Sequence, residues 1–387
     1  MPNSNSIQII LDSPNNAFFA NTTVNGKIIL DTKKPIKART FIVTILGYAK
    51  TNWIKEIKIN KSRAEYKSLQ FFIQKQILLW QSSESINTIP EGRHTFPIEF
   101  FIPFNCPPNL NTAEEIGNIC YIIKAEINIP WKVKNKKSKL EFSVCPLIDL
   151  NLRGRELFTS ATSFTACESS NKIVKVSVKI PKVGYVCGEI IPLQIGIENK
   201  SSSTVTSIEV GIEGIYTFTG ECLNPPPTAL TTDTKTLSKI FNLPKIKISL
   251  EKDEEIGLCQ NVEIPALPPS YDECGFIKIY YRIFTKVHTN AFFSGGTTVS
   301  VPIVIGTVPL NADLCAEFFP PPEYKLFVRS QSDASEPYIS PPPPTSDSSN
   351  MNKYKMEFRE IKVERDIGSD FGSFQPKYPY FLNVNFV

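Results

Sequence analysis

Pro320-Pro321-Pro322-Glu323-Tyr324 closes a proline run on an aromatic residue at the spacing that a WW domain reads. Proline fixes φ and favours polyproline II, so such a segment enters an aromatic-lined groove with little conformational entropy left to lose, and Tyr324 fills the adjoining pocket. Pro321, Pro322, Glu323 and Tyr324 therefore form a candidate WW ligand, and the chemistry is recognition rather than catalysis. A second match, Pro268-Pro269-Ser270-Tyr271, stands directly before an alternating segment, Gly275 to Phe284. There the prolines are expected to set a turn and Tyr271 to fold into a sandwich edge, so burial should separate two otherwise equivalent motifs. Pro341 to Pro344 lacks a tyrosine at the required spacing and reads as a stiff spacer.

Lys132, Lys134, Lys136, Lys137 and Lys139 follow an expected strand end at Trp131 and read as a basic hairpin tip. Two readings stay open. In one they contact a membrane or an acidic partner, and at an anionic leaflet each nearby lysine contributes about 1 kcal/mol. In a solvated turn, the same lysines suppress edge-to-edge pairing of strands.

Enzymatic chemistry finds little support. The only histidines are His94 and His288, and there is no Gly-rich phosphate loop, metal-spaced His/Cys cluster or Gly-x-Ser-x-Gly elbow. No cofactor and no metal are expected. The nine cysteines stand singly, with no CxxC pair, as buried reduced thiols of a cytosolic protein would. The net charge of +4 is small and dispersed, which argues against nucleic acid as the main partner. Met1 to Ser6 is polar, no apolar signal region follows, and no later segment approaches 18 uninterrupted apolar residues, so neither secretion nor a membrane span is expected. The Asn-x-Ser/Thr triplets at Asn21, Asn60 and Asn199 are then idle.

The elements that must carry these motifs are strands. Tyr121, Ile123, Ala125, Ile127 and Ile129 fall on one face, opposite Lys124, Glu126 and Asn128. The same period of two recurs in Ile173 to Ile180 and in Gly275 to Phe284. Turn residues punctuate these runs at Asn25-Gly26, Lys34-Pro35, Glu91-Gly92, Asn199-Lys200-Ser201 and Asn224-Pro225, the rhythm of antiparallel sandwiches. No segment offers a comparable helical stripe. Ala20 to Leu30 and Gly184 to Ile197 share a layout of turn, glycine and apolar strand, a weak internal repeat. At 387 residues the chain suits two domains of roughly 150 residues plus a tail.

Several strings resemble the arrestin superfamily, specifically its arrestin-domain-containing or α-arrestin branch. They are Gly92-Arg93-His94-Thr95-Phe96-Pro97-Ile98, Gly117 to Ala125, Pro130-Trp131-Lys132 and Asp149-Leu150-Asn151, then Gly184 to Glu189 and Val301 to Leu310. They cover most of residues 7 to 310 in family order, and Phe374 to Tyr380 resembles the short aromatic close of many such proteins. The resemblance implies an all-β chain of two tandem immunoglobulin-like antiparallel β-sandwiches with a Pro/Ser-rich flexible tail. The expected division is an arrestin N-like sandwich at 1–152, a connector at 153–170, an arrestin C-like sandwich at 171–310 and the tail at 311–387. It also implies a cytoplasmic adaptor that binds cytoplasmic regions of membrane proteins and recruits a WW-domain HECT ubiquitin ligase, promoting endocytosis and sorting from the plasma membrane and endosomes. Visual and β-arrestins carry adjacent lysines on their first strand to test for receptor phosphate; here that strand reads Ile7-Gln8-Ile9-Ile10-Leu11-Asp12, so sensing of that kind is not expected. Two rivals remain: a retromer-type sorting subunit that needs no ligase, and a secreted adhesion sandwich, which the absent signal and isolated cysteines oppose.

Overall fold

The computed structural model describes residues 6–311, apart from breaks at 14, 58–61, 84–86, 113–115, 131–135, 160, 170–171, 224, 227–228, 242–243 and 291–295, together with 357–360 and 375–380. The described residues are almost entirely strand, with two short 3-10 turns at Leu150–Leu152 and Arg155–Phe158.

The N-terminal half runs through β1 (Ser6–Leu11), β2 (Ala17–Phe19), β3 (Thr22–Thr32), β4 (Ile36–Lys37), β5 (Thr40–Ile57), β6 (Ser62–Gln81), β7 (Thr88–Ile89), β8 (Gly92–Ile102), β9 (Leu110–Asn111), β10 (Gly117–Asn128) and β11 (Lys136–Cys145). The C-terminal half runs through β12 (Ala161–Ser169), β13 (Lys172–Ile180), β14 (Gly184–Val186), β15 (Ile190–Asn199), β16 (Val205–Glu221), β17 (Thr232–Phe241), β18 (Lys245–Leu250), β19 (Glu254–Glu263), β20 (Ile277–Thr289) and β21 (Thr297–Gly306). Two late strands, β22 (Glu357–Glu360) and β23 (Lys377–Tyr380), pair with each other.

Each half is a sandwich. In the first, β1-β3-β8 faces the sheet β6-β5-β10-β11-β2; in the second, β12-β13-β15-β19 faces β14-β21-β20-β16. The alternation read from the sequence is realised. Tyr121, Ile123, Ala125 and Ile127 of β10 are fully buried while Lys124 is exposed, and Val174, Val176, Val178 and Ile180 of β13 point inward. One continuous apolar cluster runs through both halves, from Leu11 to Leu310, and also takes in Tyr380.

The internal repeat is a repeat of topology. β2 pairs in parallel with β11, and β14 pairs in parallel with β21, each at a sheet edge and each just before a long antiparallel strand. The turns that follow are made by Asn21 (φ 65°) and Gly188 (φ 81°), residue types that tolerate the left-handed region.

Two expectations are corrected. Asn25-Gly26 is not a turn but lies within β3, where Gly26 pairs with Leu11 of β1 and Asn25 with Glu99 of β8. A Cβ on Gly26 would stand 2.5 Å from the Ile10 carbonyl oxygen, so the glycine serves close strand approach rather than reversal. The polar stretch expected as a connector contributes an edge strand, β12, fully paired with β13. Lys34-Pro35 lies between strands, Glu91-Gly92 leads into β8 and Asn199-Lys200-Ser201 leads out of β15, whereas Asn224 lies outside the described residues.

The two large sheets are one. Glu221 of β16 pairs with Lys67 of β6, which joins the halves into a single twelve-stranded sheet. Gly220 permits it, because a Cβ there would meet the Tyr66 backbone carbon at 2.9 Å.

Candidate partner-binding surfaces

The WW-ligand candidate Pro321, Pro322, Glu323 and Tyr324 lies outside the described residues. Its rival is folded in. Tyr271 is buried to 3 % exposure and its hydroxyl donates to the Asn105 carbonyl at 3.1 Å, across the two halves. Ser270 is tied to β21 by paired bonds with Ile305, and the Pro268 carbonyl accepts from the Tyr281 hydroxyl at 2.7 Å. Pro268 to Tyr271 is therefore a structural strut, unable to reach a groove on another protein.

Of the five lysines, Lys132 and Lys134 lie outside the described residues, while Lys136, Lys137 and Lys139 belong to β11 rather than to a hairpin tip. The period-two pairing of β10 and β11 sets their partners: Lys137 stands opposite Glu126 and meets it at 3.2 Å, and Lys139 pairs with Glu141 two residues on. Both lysines remain about half exposed or more, so each pair adds little stability in water.

The seam between the halves holds the possible partner faces in a fixed relation. Trp53 Nε1 and Lys55 Nζ both donate to the Asp233 carboxylate, at 3.2 and 2.6 Å, and Tyr66 donates to the Leu230 carbonyl at 3.0 Å. At the other end, Ile148 and Thr307 exchange backbone and hydroxyl bonds, and Asn151 donates to the Pro309 carbonyl and accepts from the Asn311 N–H. The strings Asp149-Leu150-Asn151 and Thr307 to Leu310, far apart in sequence, thus meet as a clasp. Sequence reasoning could not pair them, because hydrogen bonds between single residues leave no periodic trace.

An open trench of ≈ 540 Å³ crosses the outer face of β13, β15 and β19. Ser177, Gly196 and Gly257 stand in cross-strand register, so its floor lacks side-chain bulk, and the ion pair of Lys175 with Glu198 at 3.0 Å lines one wall.

The thiols are mostly enclosed, as expected: Cys106, Cys145, Cys187, Cys222 and Cys274 are buried, and Cys259 is exposed. Burial pushes the Cys106 thiol up to about 12. Against an ordinary cysteine near 8.5, that leaves on the order of a thousandfold less thiolate at neutral pH. A disulfide reagent followed by peptide mapping should therefore modify Cys259 within minutes and Cys106 only after denaturation; rapid Cys106 labelling would contradict the packing. Among the described residues, no three His, Cys, Asp or Glu side chains gather as a metal site, and no helix is long and apolar enough to cross a membrane.

A third surface was not resolved from sequence. The C-terminal strand β23 docks on the N-terminal half: Tyr378 donates to the Asn109 carbonyl at 2.8 Å, and the Lys377 N–H donates to Ser143 Oγ at 2.9 Å. Its only sequence signal was the aromatic spacing of Tyr378 and Tyr380.

Comparison with known proteins agrees with this architecture. The family model for the arrestin (or S-antigen) N-terminal domain matches residues 7–151, and that for the C-terminal domain matches residues 170–310. The chain is 24% identical to arrestin domain-containing protein 17 of Caenorhabditis elegans, over 94% of this chain and 84% of the relative. It is 24% identical to human arrestin domain-containing protein 4, over 78% of this chain and 70% of that relative. The chain belongs to the arrestin family of adaptors, in its arrestin-domain-containing or α-arrestin branch.

Proposed function

We propose that this chain is a non-enzymatic cytoplasmic adaptor that holds membrane-protein cargo on its sandwich faces and recruits a WW-domain HECT ubiquitin ligase through Pro321, Pro322 and Tyr324. The ligase then modifies cargo at the plasma membrane and endosomes, promoting endocytosis and sorting. The observation that carries this reading is the contrast between the two Pro-Pro-x-Tyr matches. One is consumed by the seam through Tyr271, and the other stands beyond the last strand of the C-terminal sandwich, after Leu310. An adaptor needs no catalytic residue of its own, since tethering raises the ligase's effective concentration near cargo lysines to about the millimolar range.

A peptide spanning Phe318 to Val328 is expected to bind WW domains of HECT ligases, and Tyr324→Ala to weaken that binding by roughly thirtyfold or more, the loss typical of a buried aromatic anchor. Isothermal titration measures both. Equal affinity of the two peptides would remove the ligase arm and leave an adaptor without it.

A further inference from the structure

Gly196 of β15 stands in the ladder between Ser177 of β13 and Gly257 of β19, so three neighbouring strands present almost no side chain along one row of their outer face. Glycine inside a strand weakens it, and is found where the backbone needs a positive φ or where another group must come close. Neither glycine has a positive φ. Nor does the rest of the protein fill the space. A Cβ on Gly257 would meet nothing within 4 Å, and one on Gly196 would meet only Ser177 Oγ, at 2.6 Å. The row is the bare floor of the ≈ 540 Å³ trench. The charges on either side of it are unequal. One step toward the β18–β19 turn, Lys175, Glu198 and Glu255 stand in register; Lys175 pairs with Glu198 at 3.0 Å, and Glu255, on the edge strand, has no ion-pair partner among the described residues. One step the other way, Lys179, Gln194 and Cys259 stand in register, and Lys179 too has no ion-pair partner among the described residues. The line from the Glu255 carboxylate to the Lys179 ammonium passes over Gly196. Four residues of rise at about 3.4 Å and two strand spacings of about 4.8 Å put the two backbone positions roughly 17 Å apart.

We propose that this trench binds an extended peptide of a partner protein in the pattern basic, any, aromatic, any, acidic. The basic residue meets Glu255, the aromatic ring lies on the backbone of Gly196 and Gly257, and the acidic residue meets Lys179. Alternate residues of an extended chain share a face, so the first, third and fifth point into the trench over a span of about 13 Å, and the long side chains at the two ends cover the remainder. A flat ring over cross-strand glycines restores the packing that their missing side chains withhold. The two unlike charges fix which end of the peptide lies over which strand. The site is separate from the ligase motif and stands whether or not Tyr324 binds a WW domain.

The test uses the full chain and a fluorescent synthetic peptide, Arg-Ser-Phe-Ser-Glu, followed by anisotropy. Replacing its phenylalanine by alanine should weaken binding at least tenfold, as for a central aromatic anchor. Gly257→Val puts a branched side chain on the floor, where it meets no neighbour in the protein and suits a strand. That variant should keep its melting midpoint and bind the peptide at least tenfold less tightly. Lys179→Glu should weaken Arg-Ser-Phe-Ser-Glu about fivefold, the scale of one exposed ion pair, and strengthen Arg-Ser-Phe-Ser-Arg by a similar factor, a swap of preference that misfolding cannot produce. Bound peptide should also slow the reaction of Cys259 with a disulfide reagent, because that thiol lies one step from the floor on the same face. Equal binding to Gly257→Val and parent overturns the proposal, as do an unswapped preference in Lys179→Glu and failure of the parent to bind the peptide at about millimolar concentration. If sedimentation shows that Gly257→Val dissolves a dimer of the free chain, the face joins two copies and the proposal also falls.

Discussion

Truncating Phe142 to alanine is expected to destabilise the protein by about 3–5 kcal/mol, the range for emptying a packed phenylalanine site. Phe142 is fully buried at the centre of an aromatic group, edge-on to Phe18 and Phe100 with ring centroids at 6.2 and 5.7 Å, and tilted against Tyr121 at 5.8 Å. The rings come from β2, β8, β10 and β11, so both sheets of the N-terminal sandwich lose contacts at once. Strand backbones anchored by ladders on either side cannot collapse into the void. For a domain of this size the loss corresponds to a fall of roughly 10 °C in the melting midpoint, readable by circular dichroism. Phe142→Leu, which refills most of the space, should cost about half as much or less. A midpoint shift of less than about 2 °C for the alanine variant would contradict the packing described.

Asn199→Leu is expected to cost about as much in the C-terminal sandwich, by a different mechanism: stranded polar groups, each worth about 1–3 kcal/mol when left unpaired. Asn199 is completely buried at the end of β15. Its side-chain oxygen accepts from the Ser201 N–H at 3.0 Å and hydroxyl at 2.7 Å, and its Nδ2 donates to the carbonyls of Ser203 and Leu250 at 2.8 and 2.9 Å. Leucine matches the volume and none of the bonds. Asn199→Asp keeps the acceptor but turns the donor toward two carbonyls into an anion, so its folded-state pKa must rise above the unfolded value near 3.9. A group raised in this way is tolerated below that value and loses stability as pH increases. The aspartate variant should therefore be near its best around pH 4 and decline toward neutrality, while the leucine variant shows no such slope. Denaturant unfolding at a series of pH values distinguishes them. The same burial explains why the Asn-x-Ser triplet at Asn199 offers no acceptor for a glycan.

Much of this architecture was written into local pattern. The period-two runs of β10, β13 and β20 announce their buried faces because each is repeated over at least four positions, and Tyr271 was placed correctly by its position just before one of them. What failed was information of another kind. Asn25-Gly26 carries the composition of a turn, yet glycine is there for the approach of β1. β12 reads as polar linker because an edge strand needs only one side of its ladder satisfied. The seam of Trp53 with Asp233 and of Asn151 with Pro309 joins residues well over a hundred positions apart, through single bonds that no periodicity encodes. The ligase motif we propose could be read from sequence for the opposite reason, since a linear peptide ligand carries its recognition chemistry in consecutive residues.

The docked end of the tail also has a bearing on biosynthesis. Tyr378 and its acceptor Asn109 are separated by 269 positions. At translation rates of about 5–20 residues per second, roughly 13–54 s pass between the emergence of one and of the other. Throughout that interval the Asn109 carbonyl and the Ser143 hydroxyl wait without these partners, and the contact closes only once Lys377–Tyr380 has been made.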